Sequence, residues 1–196
     1  MKIDFNSTAG FSAKAKVKVP FGTVSVTPKA RELINQALDA NWVTQGPFVQ
    51  EFEKKFAQVF GVKYAVAVSS GTDADTIACA VLYDFGAKRG DEIIIPALTF
   101  VATANAVCQA GFKPVFVDVE KETLNINPKA IEKVITSRTK AIMPVHLMGK
   151  PAAMDEIMAI AKKHQLHVIE DTAEAHGAEY KKKRLGTIGH MAAFSL

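Results

Sequence analysis

From residue 62 onward the chain repeats one pattern: a short apolar run, a turn, a stretch with helical spacing, and another apolar run. The runs are "KYAVAVSS", "DEIIIPA", "KPVFVDV", "TKAIMPVHL", "LHVIED" and "MAAFSL". They are apolar almost throughout, where a strand with one wet face would alternate. Near-continuous hydrophobicity over so short a length is what burial on both faces of a sheet requires. Strands that alternate with helices are joined by crossovers, and the crossovers make the sheet parallel. The predicted fold class is therefore α/β, a mostly parallel sheet with flanking helices.

The expected helices run from about Thr72 to Phe85, from Phe100 to Ala110, from near Pro128, and through "AMDEIMAIAKKHQ". Upstream, "TPKARELINQALDAN" has Thr27 as N-cap and Pro28 at the first helical position. "WVTQGPF" breaks that helix, and "VQEFEKKFAQVFG" places Phe52, Phe56, Val59 and Phe60 on one stripe before Gly61. Residues 1–20 read as an N-terminal arm and residues 21–196 as one domain. With 48% hydrophobic and 22% charged residues, the chain has ordinary globular composition.

Several function classes fit poorly. The formal charge of +4 is scattered, "KKKR" at 181–184 reads as a solvated turn, and no basic face with interleaved aromatics indicates nucleic acid. The expected partners include no nucleic acid and no membrane. Without a long apolar run or a signal-peptide core, the expected compartment is the cytoplasm. Cys79 and Cys108 fall in apolar helical patterns and read as buried reduced thiols. The five histidines lack metal-ligand spacing, so no metal site is expected. Neither a P-loop nor "GxGxxG" follows the first strand, and the signatures "GxSxG" and "HExxH" are absent.

Ligands of an open parallel sheet bind at the carboxyl ends of its strands. After the first strand stands "SSGTDA", with Ser69, Ser70, Gly71 and Thr72. A glycine and a hydroxyl at a helix N-terminus make a cradle for phosphate or carboxylate, although an ordinary N-cap uses the same residues. After the second strand comes Phe100, either core or a stacking surface for a planar ring. The fifth strand ends in Glu170 and Asp171, with Glu174 three positions on. Alternation sends the two neighbours to opposite faces, and a buried carboxylate needs a cation: a lysine or arginine of the chain, or a protonated ring nitrogen of a cofactor.

In order, "WVTQGPFVQEFEKKFA", "VSSGTDA", "PALTFVATANAV", "PVFVDV", "IMPVHLMGKPAAMDEI", "VIEDTAEAHGA" and "AAFSL" resemble the DegT/DnrJ/EryC1/StrS family of nucleotide-sugar aminotransferases. The resemblance runs from about residue 20 to the last residue. It implies the large domain of the aspartate aminotransferase fold and pyridoxal 5'-phosphate as cofactor. On these positions it implies phosphate contacts from Ser70, Gly71, Thr72 and Ser195, and stacking of Phe100 on the pyridine ring. Asp171 pairs with the ring nitrogen, keeping the ring an electron sink. Glu174, one helical turn on, lies near the ring hydroxyl. Asp171 and Glu174 are the expected catalytic residues.

The implied reaction moves an amino group from an amino acid, glutamate being the expected donor, to a nucleotide-linked keto-deoxysugar of the kind built into lipopolysaccharide. The implied assembly is a homodimer. Family members carry a Schiff-base lysine soon after the serine of the "FS" motif, and this chain ends at Leu196. The expectation is an N-terminal portion of such an enzyme, without its small domain. Two alternatives stand beside it: a sugar 3-dehydratase of the same fold, in which histidine replaces the lysine, and a non-catalytic cofactor-binding protein. Asp75 departs from the pattern, which has an apolar residue there, and a charge on a buried helix face is expected to weaken packing.

Overall fold

The computed structural model describes residues 25–196, so the arm expected over residues 1–20 lies outside the described residues. Two compact units divide after Gly46. In the first, α1 (Pro28–Asp39) begins at Thr27, whose hydroxyl accepts from the Ala30 amide at 3.1 Å, with Pro28 at the first position as predicted. The turn that follows is closed by Trp42, which donates from its ring to the Gln45 carbonyl at 2.7 Å.

The second unit, Pro47–Leu196, carries the sheet. In chain order its elements are α2 (Pro47–Phe60), α3 (Gly71–Ala80) with a 3-10 extension Val81–Phe85, β1 (Glu92–Pro96), α4 (Val101–Gln109) and β2 (Lys113–Val117). Then come α5 (Pro128–Ile131), β3 (Thr139–Ile142), α6 (Met154–His164), β4 (His167–Asp171), β5 (Glu179–Tyr180), β6 (Lys183–Arg184) and β7 (Met191–Ala193). The main sheet has the order β2-β1-β3-β4-β7, and every pair in it is parallel. The expected fold class is the observed one.

Alternate residues of the central strands supply two cores. Ile93, Ile95, Ala141, Met143 and Ile169 pack with Cys79, Leu82 and Val107 from the α3 and α4 side. Ile94, Ile142 and Val168 pack with Met154, Ile157 and Ala161 on the α6 side. This two-sided burial is why the runs lack alternation, and each fully buried isoleucine contributes about 1.5–3 kcal/mol. Strand β2 lies at an edge, where Pro114 is tolerated and Phe116 stays exposed.

Three expectations are corrected. "KYAVAVSS" forms no strand: Tyr64, Val66 and Val68 are exposed, and no backbone ladder is formed by residues 63–70 among the described residues. Strand-like side chains do not make a strand without a neighbour to take the backbone hydrogen bonds. Cys79 is fully buried, but Cys108 is exposed, because it lies on the outer side of α4 from the buried pair Ala106 and Val107. Finally, no helix follows β4; Ala175 and Ala178 close successive turns onto the Thr172 and Ala175 carbonyls.

Candidate active site

The candidate residues gather at the carboxyl ends of β4 and β7. Ser70 caps α3, its hydroxyl accepting from the Asp73 amide at 3.1 Å and donating to the Asp73 carboxylate at 2.9 Å. Ser69 also donates to that carboxylate, and these bonds hold the Asp73 carboxyl below its ordinary range. The Gly71 and Thr72 amides, among the first four of the helix, have no partner among the described residues. Ser195 lies directly against them: a Cβ built on Gly71 would meet Ser195 Cβ at 2.6 Å and Oγ at 2.8 Å. A glycine is needed there because of this close approach.

Ser195 is held by its neighbour. Phe194 packs edge-on to Phe56 with centroids 5.1 Å apart and lies 4.6 Å from Phe60, so the aromatic stripe predicted for α2 anchors the chain leaving β7. Phe100, the residue before α4, is 70% exposed, which rules out the plain core reading.

Asp171 is almost fully buried. One oxygen accepts from Thr103 at 2.8 Å and the other from the Ala173 amide at 3.2 Å. Burial pushes its carboxyl up; Thr103, Ala173 and His146 oppose this, and Glu174 adds to it. Among the described residues no lysine or arginine pairs with it. Glu174 is exposed and accepts from the Met148 amide at 2.7 Å.

Glu170 faces the other way and has an entirely different environment. One oxygen accepts from the Ile188 and Gly189 amides at 2.7 and 2.6 Å, and the other from Gly186 at 2.9 Å and His146 Nε2 at 3.0 Å. The Ala152 amide occupies His146 Nδ1 at 3.1 Å, so Nε2 is the nitrogen that donates. Burial raises the Glu170 carboxyl, but the bonds from His146, Gly189 and Gly186 outweigh it, and the net direction is down.

Sequence reasoning missed Thr103 and His146. Thr103 was within reach, because it follows Phe100 by one helical turn on a helix known to face the strand ends; its buried hydroxyl also contacts Thr99 at 2.8 Å. Nothing local marks His146, whose partners come from 24 residues downstream and six residues on.

A parallel sheet whose strand ends present a bare helix N-terminus, a serine and a buried carboxylate belongs to the α/β proteins that hold anionic ligands at that edge. Within that class the chain is a member of the DegT/DnrJ/EryC1/StrS aminotransferase family, whose family model matches residues 25–196. It is 44% identical over 178 residues to GDP-perosamine synthase of Escherichia coli O157:H7, covering 90% of this chain and 48% of that protein. The crystallographic aminotransferase from Psychrobacter cryohalolentis is 42% identical with a TM-score of 0.81, covering 89% of this chain and 44% of that one. An E. coli GDP-4-keto-6-deoxy-D-mannose-3-dehydratase with bound hydrated PLP is 36% identical with a TM-score of 0.79, over 87% and 44% of the two chains. The chain thus spans about half the length of the proteins it matches.

Proposed function

We propose that the chain binds pyridoxal 5'-phosphate and forms the cofactor-binding part of an aminotransferase that passes an amino group from glutamate to a nucleotide-linked keto-deoxysugar. The observation that carries this reading is the pairing of two complementary vacancies in bonding at one sheet edge. Among the described residues the Gly71 and Thr72 amides have no acceptor, and Asp171 is a buried carboxylate with no lysine or arginine beside it. A phosphate would satisfy the first through the helix N-terminus, and a protonated pyridine the second.

The residues fit the cofactor at three points. Gly71, Thr72, the Ser70 cap and Ser195 would hold the phosphate. The exposed Phe100 ring would cover one face of the pyridine. Asp171, oriented by Thr103 and Ala173, would hold the proton at the ring nitrogen. Glu174, steadied by the Met148 amide, would lie toward the ring hydroxyl. When bound, the cofactor supplies an electron sink for the carbanion at the amino carbon. Exposed Leu98, Phe100 and Val101 at the same edge support a homodimer, and the cytoplasm is the compartment proposed.

The similarity to a PLP-bound dehydratase favours a second reading, loss of the sugar's 3-hydroxyl, and a third is cofactor binding without turnover. Incubation of the natural protein that contains this chain with pyridoxal phosphate, glutamate and a nucleotide-linked 4-keto-6-deoxysugar, followed by mass spectrometry of the sugar, separates them. A product that has gained nitrogen establishes the aminotransferase. A product that has lost an oxygen at carbon 3 without gaining nitrogen establishes the dehydratase. Bound cofactor with unchanged sugar leaves the binding protein, and failure to bind the cofactor overturns all three.

A further inference from the structure

Asp75 is the one buried polar side chain whose Oδ1 has no hydrogen-bond partner among the described residues, and it is only 3% exposed. Its place follows from the register of helix and strand. Asp171 and Ile169 point to the same side of β4, and Ile169 packs in the core with Cys79 of α3. Gly71, at the start of α3, lies against Ser195, just past the carboxyl end of β7, where Ala193 pairs with Asp171. The helix therefore runs back along the sheet from the strand ends, and Asp75, one turn before Cys79, comes level with the end of β4. Two carboxyl groups, one from α3 and one from β4, share a buried site.

Among the described residues the surroundings offer no lysine or arginine to neutralise a second charge. From α3 come Asp75, the thiol of Cys79 and, in the half-buried first turn, Asp73. From α4 comes the hydroxyl of Thr103, and from the loop before it that of Thr99. β4 contributes Asp171, the end of β3 leads to His146, and the turn after β4 brings Glu174, both acting on Asp171 through space. Strand β7, Met191–Ala193, has no titratable side chain.

We infer that Asp75 and Asp171 act as one carboxyl pair that shares a single negative charge and a single proton, Asp75 holding the proton. Asp75 is then a positioning residue: it sets the charge that Asp171 presents to the ring nitrogen of bound pyridoxal phosphate, a role that rests on the function proposed above. Like charges in a buried site cannot both ionise cheaply, so the group without hydrogen bonds keeps the proton. Asp171, with Thr103 and Ala173 as donors, is the better anion. Burial and then Asp171 push the Asp75 carboxyl up to about 8, and the Cys79 thiol beneath is raised to about 12 by burial and by both carboxyls.

Infrared titration of the cofactor-free protein tests the pair without relying on turnover. A protonated-carboxyl band is expected at pH 7, disappearing as pH rises through about 8. Asp75→Asn or Asp75→Leu should remove it. Asp171→Asn should leave the band but shift its disappearance to lower pH, because one of its two causes has gone. Absence of the band at pH 7 in the parent protein, or a titration unmoved by Asp171→Asn, overturns the pair. Pyridoxamine phosphate binding, measured alongside, addresses the cofactor separately: if the carboxyls couple but the probe does not bind, the pair's role toward a ring nitrogen is overturned with the cofactor reading.

Discussion

Glu170 and Asp171 leave β4 in opposite directions, and the difference in donors decides what each can do. Glu170 meets four hydrogen-bond donors and needs no cation, so its role is to hold the 186–189 segment and His146 in place. Glu170→Gln leaves both oxygens' worth of donors facing one acceptor and an amide, and should destabilise the protein by about 3 kcal/mol, measurable by denaturant unfolding. Gly71→Ala acts by a different route. The new methyl meets Ser195 and displaces it, so the dissociation constant for pyridoxal phosphate should rise at least about tenfold, or about 1.4 kcal/mol, while circular dichroism stays unchanged. Phe100→Ala should also weaken cofactor binding yet change stability by less than about 0.5 kcal/mol, because the ring is exposed in the free protein.

Among the elements, those whose stability is local or two-sided were legible in the chain. Thr27 and Pro28 mark the start of α1, and the apolar runs of β1, β3 and β4 are buried on both faces as their composition requires. Elements that depend on a distant partner were not. Residues 63–70 have the side chains of a strand but no ladder neighbour among the described residues. At "KKKR" the expected solvated turn is present, and the short strands on either side of it are the part that gave no signal. Lys181 and Lys182, both at positive φ, form the two-residue loop of a hairpin between β5 and β6. Lysine is a poor choice at two left-handed positions, so no hairpin signal was present. Replacing Lys181–Lys182 with Asn–Gly should stabilise the protein by about 1 kcal/mol, seen as a raised unfolding midpoint with an unchanged denaturant slope.

At the scale of the whole molecule, the two buried carboxyls with opposite shifts shape how stability varies with pH. Glu170 is lowered from 4.5, so the folded state releases its proton more readily; the stability it supplies is present above the unfolded value and is lost as pH falls through the folded one. Asp75 is raised from 3.8 to about 8, so the folded state binds its proton more tightly; that stability is present below pH 3.8 and is lost progressively as pH rises toward 8. Asp171 shifts in the same direction as Asp75, so the stability it supplies is likewise lost as pH rises above its unfolded value. Together they place the stability maximum of the cofactor-free protein in mild acid, between the two limbs. Thermal unfolding from pH 4 to pH 9 should show a melting temperature that falls by several degrees between pH 4 and about pH 8 and levels off above it. Asp75→Leu, which removes the titrating group and suits an apolar helix face, should flatten the alkaline limb and leave the acid limb in place, whereas Glu170→Gln should weaken the acid limb alone. A cation at Asp171 would favour its anionic form, so saturating pyridoxal phosphate should recover much of the stability lost near pH 8, beyond the gain it gives at pH 5.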